Sequence, residues 1–285
     1  MKTKIVTLAI LLSLFVVSCS KNDTSETSYM SKDEAQASSK IDLASDDVST
    51  IVEDQYNNIN SNSFSNKNGV VALSTCATIT RVPAFGTVLN DGDLVTKTID
   101  FGSGCTLANN NVVSGKIIIT FTYHPTATSQ TVNYSFDNFY HNNIKIEGNK
   151  SFTRTMTTGA NPHPIVIMQM DLTATINGQT HHRVGSRTRE IIAGYDTPND
   201  LSDNVYSITG SWTTTHPSGT ITSTITTPLQ VKMSCMNVHK PLIVSGVITF
   251  TKNNHTATLD YGTGDCDNTA VFTINGNSYT IVIGN

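Results

Sequence analysis

Residues 165–176 read IVIMQMDLTATI, and this stretch decides the fold class. Every second residue is apolar, and the residues between them become polar along the stretch. A period of two is typical of an antiparallel β-strand that has one face in a core. The apolar stripe consists of Val166, Met168, Met170, Leu172, Ala174 and Ile176.

Similar stripes recur from Gly69 to the C-terminus, for example at 117–123, 206–212 and 279–283. Dipeptides that favour tight two-residue turns separate them, including Asn177-Gly178 and Asn275-Gly276. We therefore expect an all-β protein, a long antiparallel meander of on the order of a dozen strands. A sheet of that size is expected to curl or to split into a sandwich, and the sequence leaves both alternatives open.

The N-terminus has the three parts of an export signal. Lys2 and Lys4 precede an apolar run at 5–17, which ends at Ser18-Cys19. A small residue directly before a cysteine at this place resembles the lipobox of bacterial lipoproteins. We expect residues 1–18 to be removed as a signal peptide and Cys19 to be lipidated, so that its acyl chains anchor the protein to a membrane. An ordinary secretory signal that is cleaved nearby is the alternative.

The remaining chain divides by composition. Residues 19–44 are polar and predict a flexible tether. Residues 45–68 predict a helix and a linker, with Ser45 or Asp46 as the N-cap and apolar residues at helical spacing from Val48 to Ile59. This amphipathic helix is expected to pack on the sheet of residues 69–285. The Asp- and Asn-rich stretch at 194–204 is a possible boundary between two halves of the β domain.

Four cysteines remain after Cys19, and an even number in an exported chain predicts disulfide bonds. Three pairings are possible. Similar separations and similar local motifs favour Cys76–Cys105 and Cys235–Cys266. A structural zinc site is disfavoured because the cysteines lack close C-x2-C spacing.

One strand carries an unusual set of cations. His181, Arg183, Arg187 and Arg189 fall on one face of a predicted strand. Such a face could bind sulfated or carboxylated glycans or lipid headgroups, and a merely solvated face is the alternative. The formal net charge of −4 and the lack of a basic block argue against nucleic acid as a partner.

Other polar groups are candidates for catalytic or metal sites. Asp100 and Asp260 precede glycines and could ligate calcium, but a turn in which the carboxylate caps loop amides is favoured. Glu147 and Glu190 could be a glycosidase pair, but all-β proteins offer such residues by chance. Trp212 is expected in the core. We predict no catalytic residue, no metal and no cofactor.

Two segments share a motif. Residues 98–105 read TIDFGSGC, and residues 258–266 read TLDYGTGDC. Together with the strand ITGSW at 208–212 and the lipobox, they resemble a group of uncharacterised Bacteroidota lipoproteins over most of the mature chain. The resemblance implies an all-β exported domain and implies no activity. The polar run 20–23 favours display at the surface of the outer membrane over a periplasmic position.

These observations favour a membrane-anchored, non-enzymatic binding or structural module. The first alternative is a carrier of a lipid or another apolar ligand, which would need an internal apolar cavity of ~300–1,000 Å³. The second is a polysaccharide hydrolase, which would need two carboxyl groups at ~5–10 Å across a groove.

Overall fold

The computed structural model describes residues 29–62, 76–107, 109–197, 200 and 202–283. The predicted signal peptide, Cys19 and the first part of the predicted tether lie outside these residues. Among the described residues, no helix is both long enough and apolar enough to cross a membrane.

The helix α1 spans Lys32–Asn57 and begins well before the predicted start. Ser31 caps it: the Ser31 hydroxyl accepts from the Glu34 backbone N–H, and the Glu34 carboxylate accepts from the Ser31 N–H. This reciprocal capping box satisfies two otherwise unpaired donors. The predicted tether is therefore wrong for residues 32–44, and the predicted caps Ser45 and Asp46 lie inside the helix.

Strands account for most of the remaining described chain. They are β1 (Thr78–Val82), β2 (Leu94–Asp100), β3 (Cys105–Thr106), β4 (Val112–Thr122), β5 (Ser129–His141), β6 (Ile144–Met156), β7 (Pro164–Ile176), β8 (Gln179–Ala193), β9 (Val205–His216), β10 (Gly219–Lys232), β11 (Ile243–Lys252), β12 (His255–Thr263), β13 (Thr269–Ile274) and β14 (Asn277–Val282).

Each strand pairs antiparallel with its neighbour in the chain, except that the short β3 pairs only with β4 and β2 pairs with β4. The result is one open sheet, not a sandwich, with β1 and β14 as its edges among the described residues. The predicted all-β meander with one N-terminal helix is confirmed. The possible boundary at 194–204 is a connection between β8 and β9, which pair along their lengths.

The helix lies against one face of this sheet, the inner face. Ile41, Asp42, Leu43, Ala44 and Ser45 are all buried. Because five consecutive helical residues point in all directions around the axis, the folded chain surrounds this part of the helix. The apolar stripe of residues 166–174 lies in the same core.

A repeated Ser-Gly motif bends the sheet at two places. Gly115 in β4 and Gly246 in β11 both have positive φ, and the strand register shifts at each of them. A Cβ on Gly115 would lie 2.0 Å from the Asn138 carbonyl oxygen, and one on Gly246 would lie 2.5 Å from that of Pro228. Both motifs are therefore glycine β-bulges that no other residue fits.

Disulfide bonds join Cys76 to Cys105 and Cys235 to Cys266, the pairing that the sequence favours. The first attaches the chain before β1 to β3. The second attaches the connection after β10 to the loop after β12.

Candidate functional site

The four cations predicted to share a strand face do share it, but that face is the inner one. His181, Arg183, Arg187 and Arg189 are 4%, 0%, 2% and 9% exposed. The sequence analysis expected this face to bind an external anion or to be solvated. Burial contradicts both expectations. Their partners are carboxylates of the protein's own helix.

Three helical acids meet the three arginines. An Asp42 oxygen accepts from Arg183 at 2.5 Å and also from Arg187. Asp46 lies 3.6 Å from Arg187. Glu53 accepts from Arg189. We call Asp42, Asp46, Glu53, Arg183, Arg187 and Arg189 the charge cluster.

Aromatic rings complete the surroundings of the charge cluster. The Arg187 guanidinium lies 4.1 Å from the centre of the Trp212 ring, and that of Arg183 lies 5.2 Å from it. The Arg189 guanidinium lies 4.5 Å from the Tyr206 ring. Trp212 is buried, as predicted, and its ring adds a cation–π contact to the carboxylate contacts of these arginines.

Further inner-face cations contact the helix along its length. Near its N-terminus, Lys252 pairs with Glu34 at 2.8 Å. In its middle, Lys150 donates to the Ser45 and Ser49 hydroxyls at 2.7 and 3.0 Å. At its C-terminal end, Lys97 donates to the carbonyls of residues 55, 58 and 61. A cation at that end satisfies unpaired carbonyls and matches the helix dipole.

The far side of the helix is held by a separate polar contact. Asp47 accepts from the Asn109 and Asn111 side-chain amides at 2.9 and 2.7 Å, and lies 2.7 Å from His141 Nε2. Both sides of the helix are therefore bound by specific polar partners.

Burial changes the acid–base behaviour of this interface. Burial raises the pKa of Asp46 to about 6, against the lowering effect of Arg187. Burial also lowers the pKa of Lys150 to about 7. Both shifts favour the neutral forms, because a charge is costly in a buried place, and the opposite charges of Arg187 and Asp46 work against them.

Two histidines form a neutral pair beside this interface. His181 Nδ1 lies 2.7 Å from His216 Nδ1. Burial lowers the pKa of both rings, that of His216 to about 4. The charge of Arg183 lowers both pKa values further, and His181 also lowers the pKa of His216. One ring can donate to the other only while the accepting nitrogen is unprotonated.

The other candidate residues have simpler surroundings. Asp100 and Asp260 accept from the N–H groups of Gly102 and Gly262 at 2.9 and 2.8 Å, so both are turn caps. Within the described residues, no group of three or more His, Cys, Asp or Glu side chains could hold a metal ion.

The two glutamates of the candidate glycosidase pair each face a different cation on the surface. Glu147 pairs with Lys145 at 2.7 Å, and Glu190 pairs with His163 at 2.8 Å. Their side chains are about half exposed.

Sequence reasoning missed the acids that oppose the arginines. Asp42, Asp46 and Glu53 are spaced by four and seven residues, which places them on one helix face. The predicted helix start at residue 45 was too late and hid this pattern, because it left Asp42 in the predicted tether. The Ser31-to-Glu34 capping box was the signal that could have revealed it.

The helix leaves little space on the inner face beside the charge cluster. A cavity of about 10 Å³, lined partly by Asp46, Arg189 and Tyr206, is large enough for one water molecule and too small for a lipid.

The opposite, outer face carries a larger open groove of about 340 Å³ over β4 to β7. Its outward side chains are uncharged apart from Asp171. They are Thr120, Asn133, Ser135, Asn149, Ser151, Gln169 and Asp171.

Comparison with known proteins gives no relative from which a function could be transferred. No protein-family profile matches the chain, and neither curated proteins nor solved structures gave a match.

Proposed function

We propose that this protein is an exported lipoprotein of the outer membrane, anchored through Cys19, that acts at the cell surface as a binding or structural module without catalytic activity. The lipobox-like sequence before Cys19 supports the anchor. The occupation of the sheet's inner face by the helix supports the binding role, because it leaves the outer face to meet a ligand.

The charge cluster is the observation that carries the second part of this proposal. Arg183 and Arg187 both donate to Asp42, a carboxylate of the same chain, and the part of the helix that carries Asp42 is buried. A ligand would have to displace the helix to reach them. The groove over β4 to β7 is open without any such change.

The carrier and hydrolase alternatives receive less support. An apolar ligand would have to replace buried carboxylates and arginines that pair with one another. Glu147 and Glu190 each have a cation partner of their own, which is not the arrangement of an acid and a nucleophile facing one sugar.

Metabolic labelling tests the anchor. Cells expressing the full chain are grown with an alkyne fatty acid and then treated with protease while intact. We expect the wild type to carry the label and to be cleaved on intact cells.

Two variants make this test specific. Cys19→Ala should lose the label and the membrane association, whereas Ser18→Ala, which keeps a small residue before the cysteine, should retain both. An unlabelled wild type, or a labelled chain that protease reaches only after lysis, would refute the anchor or the surface position respectively.

A further inference from the structure

A row of uncharged polar side chains crosses the outer face of the sheet from β2 to β14, whereas in β1 the aligned residue is the exposed Val82. The strand register aligns one residue of each strand directly beside one of the next. In β2 and β4 to β8 these are Thr96, Thr120, Asn133, Ser151, Gln169 and Ser186.

The same row continues to the last strand. In β9 to β14 it consists of Ser211, Thr224, Thr249, Thr258, Thr273 and Ser278. None of these side chains is buried. Each carries a hydroxyl or an amide, groups that both donate and accept hydrogen bonds and bear no charge. We call the twelve residues the polar row.

The neighbouring rows of the outer face lack this uniformity. Two residues away on one side, the aligned positions include Ile118, Asp171 and Val184. On the other side they include Ile167 and Asp260. A general preference of exposed strands for threonine would affect all rows alike, so it does not explain why one row alone is unbroken.

The groove lies on this same row. Four of its lining residues, Thr120, Asn133, Ser151 and Gln169, are consecutive members of the polar row. The outer face is therefore concave where the row contains its two amide side chains, which offer the largest number of hydrogen-bonding groups.

We propose that the polar row is the binding track for an extended neutral polysaccharide that runs across the strands. This inference rests on the proposed binding function and names its ligand class. Neighbouring strands are ~4.8 Å apart, so twelve aligned residues offer hydrogen-bonding groups over a path of roughly 50 Å. A polymer with hydroxyl groups on every unit can form hydrogen bonds with these groups at repeated positions along the row.

The charge of the row argues against other polymers. Nucleic acids and anionic lipid surfaces are bound through clusters of Lys and Arg, which the row does not contain. Arg183 and Arg187 of β8 could have bound an anionic polymer, but they point to the inner face and pair with Asp42 there. Electrostatic complementarity therefore favours a neutral partner.

Affinity electrophoresis of the full mature chain in detergent tests the track. The gels contain dextran, laminarin or mannan as neutral probes, and dextran sulfate as the charged counterpart of dextran. We expect at least one neutral polysaccharide to retard the protein and to retard it more than dextran sulfate does.

Two matched variants of β10 locate the binding. Thr224→Lys places a charge in the polar row, whereas Thr220→Lys places the same charge on the same exposed face four residues away, ~14 Å along the strand. We expect Thr224→Lys to weaken binding about fivefold or more, as loss of a hydrogen bond would, and Thr220→Lys to change it less than about twofold. Circular dichroism of both variants checks that they are folded.

A groove variant, Asn133→Ala with Gln169→Ala, should weaken binding at least as much as Thr224→Lys. The inference is overturned if no neutral polysaccharide retards the wild type, if dextran sulfate binds best, or if the two lysine variants behave alike. A protein that is lipidated and displayed but fails these tests would retain the proposed anchored position and lose only this ligand class.

Discussion

The inner face of the sheet and the polar row of its outer face reverse the usual distribution of charge. On the inner face, Lys97, Lys150, Arg183 and Arg187 are at most 4% exposed and all contact the helix. On the outer face, the polar row crosses twelve strands without a charged residue. Exposed faces of antiparallel sheets usually carry the charges, and buried faces are usually apolar.

This difference shows what each face is built to meet. The inner face is complementary to one particular helix, because cations along β2, β6, β8 and β11 meet acids, hydroxyls and carbonyls in a fixed order. The polar row of the outer face has no such individual pattern, since uncharged hydroxyl and amide groups repeat in it from strand to strand. The inner face thus specifies a single partner within the chain, and the outer face suits a repetitive partner outside it.

Removing the shared carboxylate of the charge cluster is the strongest way to break this contrast. Asp42→Ala leaves two buried arginines without their common partner, so we expect the free energy of unfolding to fall by roughly 3–5 kcal/mol. Chemical denaturation measures it. The outer-face control, Glu147→Ala, removes an exposed pair and should cost at most about 1 kcal/mol. Equal losses of stability from the two substitutions would show that the buried charges of the inner face matter no more to the fold than an exposed pair.

The helix cap is expected to contribute less than the charge cluster. Ser31→Ala removes one half of the capping box and should lower the free energy of unfolding by about 1 kcal/mol. Lys40→Ala, on the exposed side of the same helix, should change it by less than about 0.5 kcal/mol. If Ser31→Ala lowered the free energy of unfolding as much as Asp42→Ala, the cap would stabilise the helix as strongly as its charged contacts with the inner face do.

A further expected effect is a dependence on pH that belongs to the inner face. Burial holds the pKa of His216 at about 4, below the usual 6.5. As the pH falls from 6.5 to 4, the unfolded chain binds a proton that the folded chain does not, so stability is lost in this window.

Thermal unfolding of His216→Gln at pH 7 and pH 4.5 measures this contribution. Its unfolding temperature should fall less between the two pH values than that of the wild type. The outer-face variant His182→Gln, which removes a half-exposed ring beside Asp171, should behave like the wild type. An unchanged slope in His216→Gln would show that the buried histidine pair does not sense pH.

The sequence predicted the sheet well because strand alternation and turn dipeptides are local signals. The stripe at 166–176 lies in β7 and reaches its last residue, and Asn177-Gly178 forms the turn between β7 and β8. It could not decide between one sheet and two, because that choice depends on how distant strands pack. The single open sheet follows from a helix that occupies the inner face in place of a second sheet.

The prediction of the site was correct about the shared face and wrong about its exposure. Period-two alternation places Arg183, Arg187 and Arg189 together, but it does not tell which side of the sheet they take. Their burial follows from Asp42, Asp46 and Glu53, which are far away in the sequence. Only an earlier helix start, readable from Ser31 and Glu34, would have aligned those acids opposite the arginines.

Hydrogen exchange of the helix tests the central claim most directly, namely that α1 is locked into the inner face by charge. Mass spectrometry of the full mature chain would follow the amides of Ile41–Val52 beside those of β7 and β8. We predict that the helix amides exchange as slowly as those of the two strands, because opening the helix would expose the charge cluster. Fast exchange in the helix while β7 and β8 remain protected would contradict the claim.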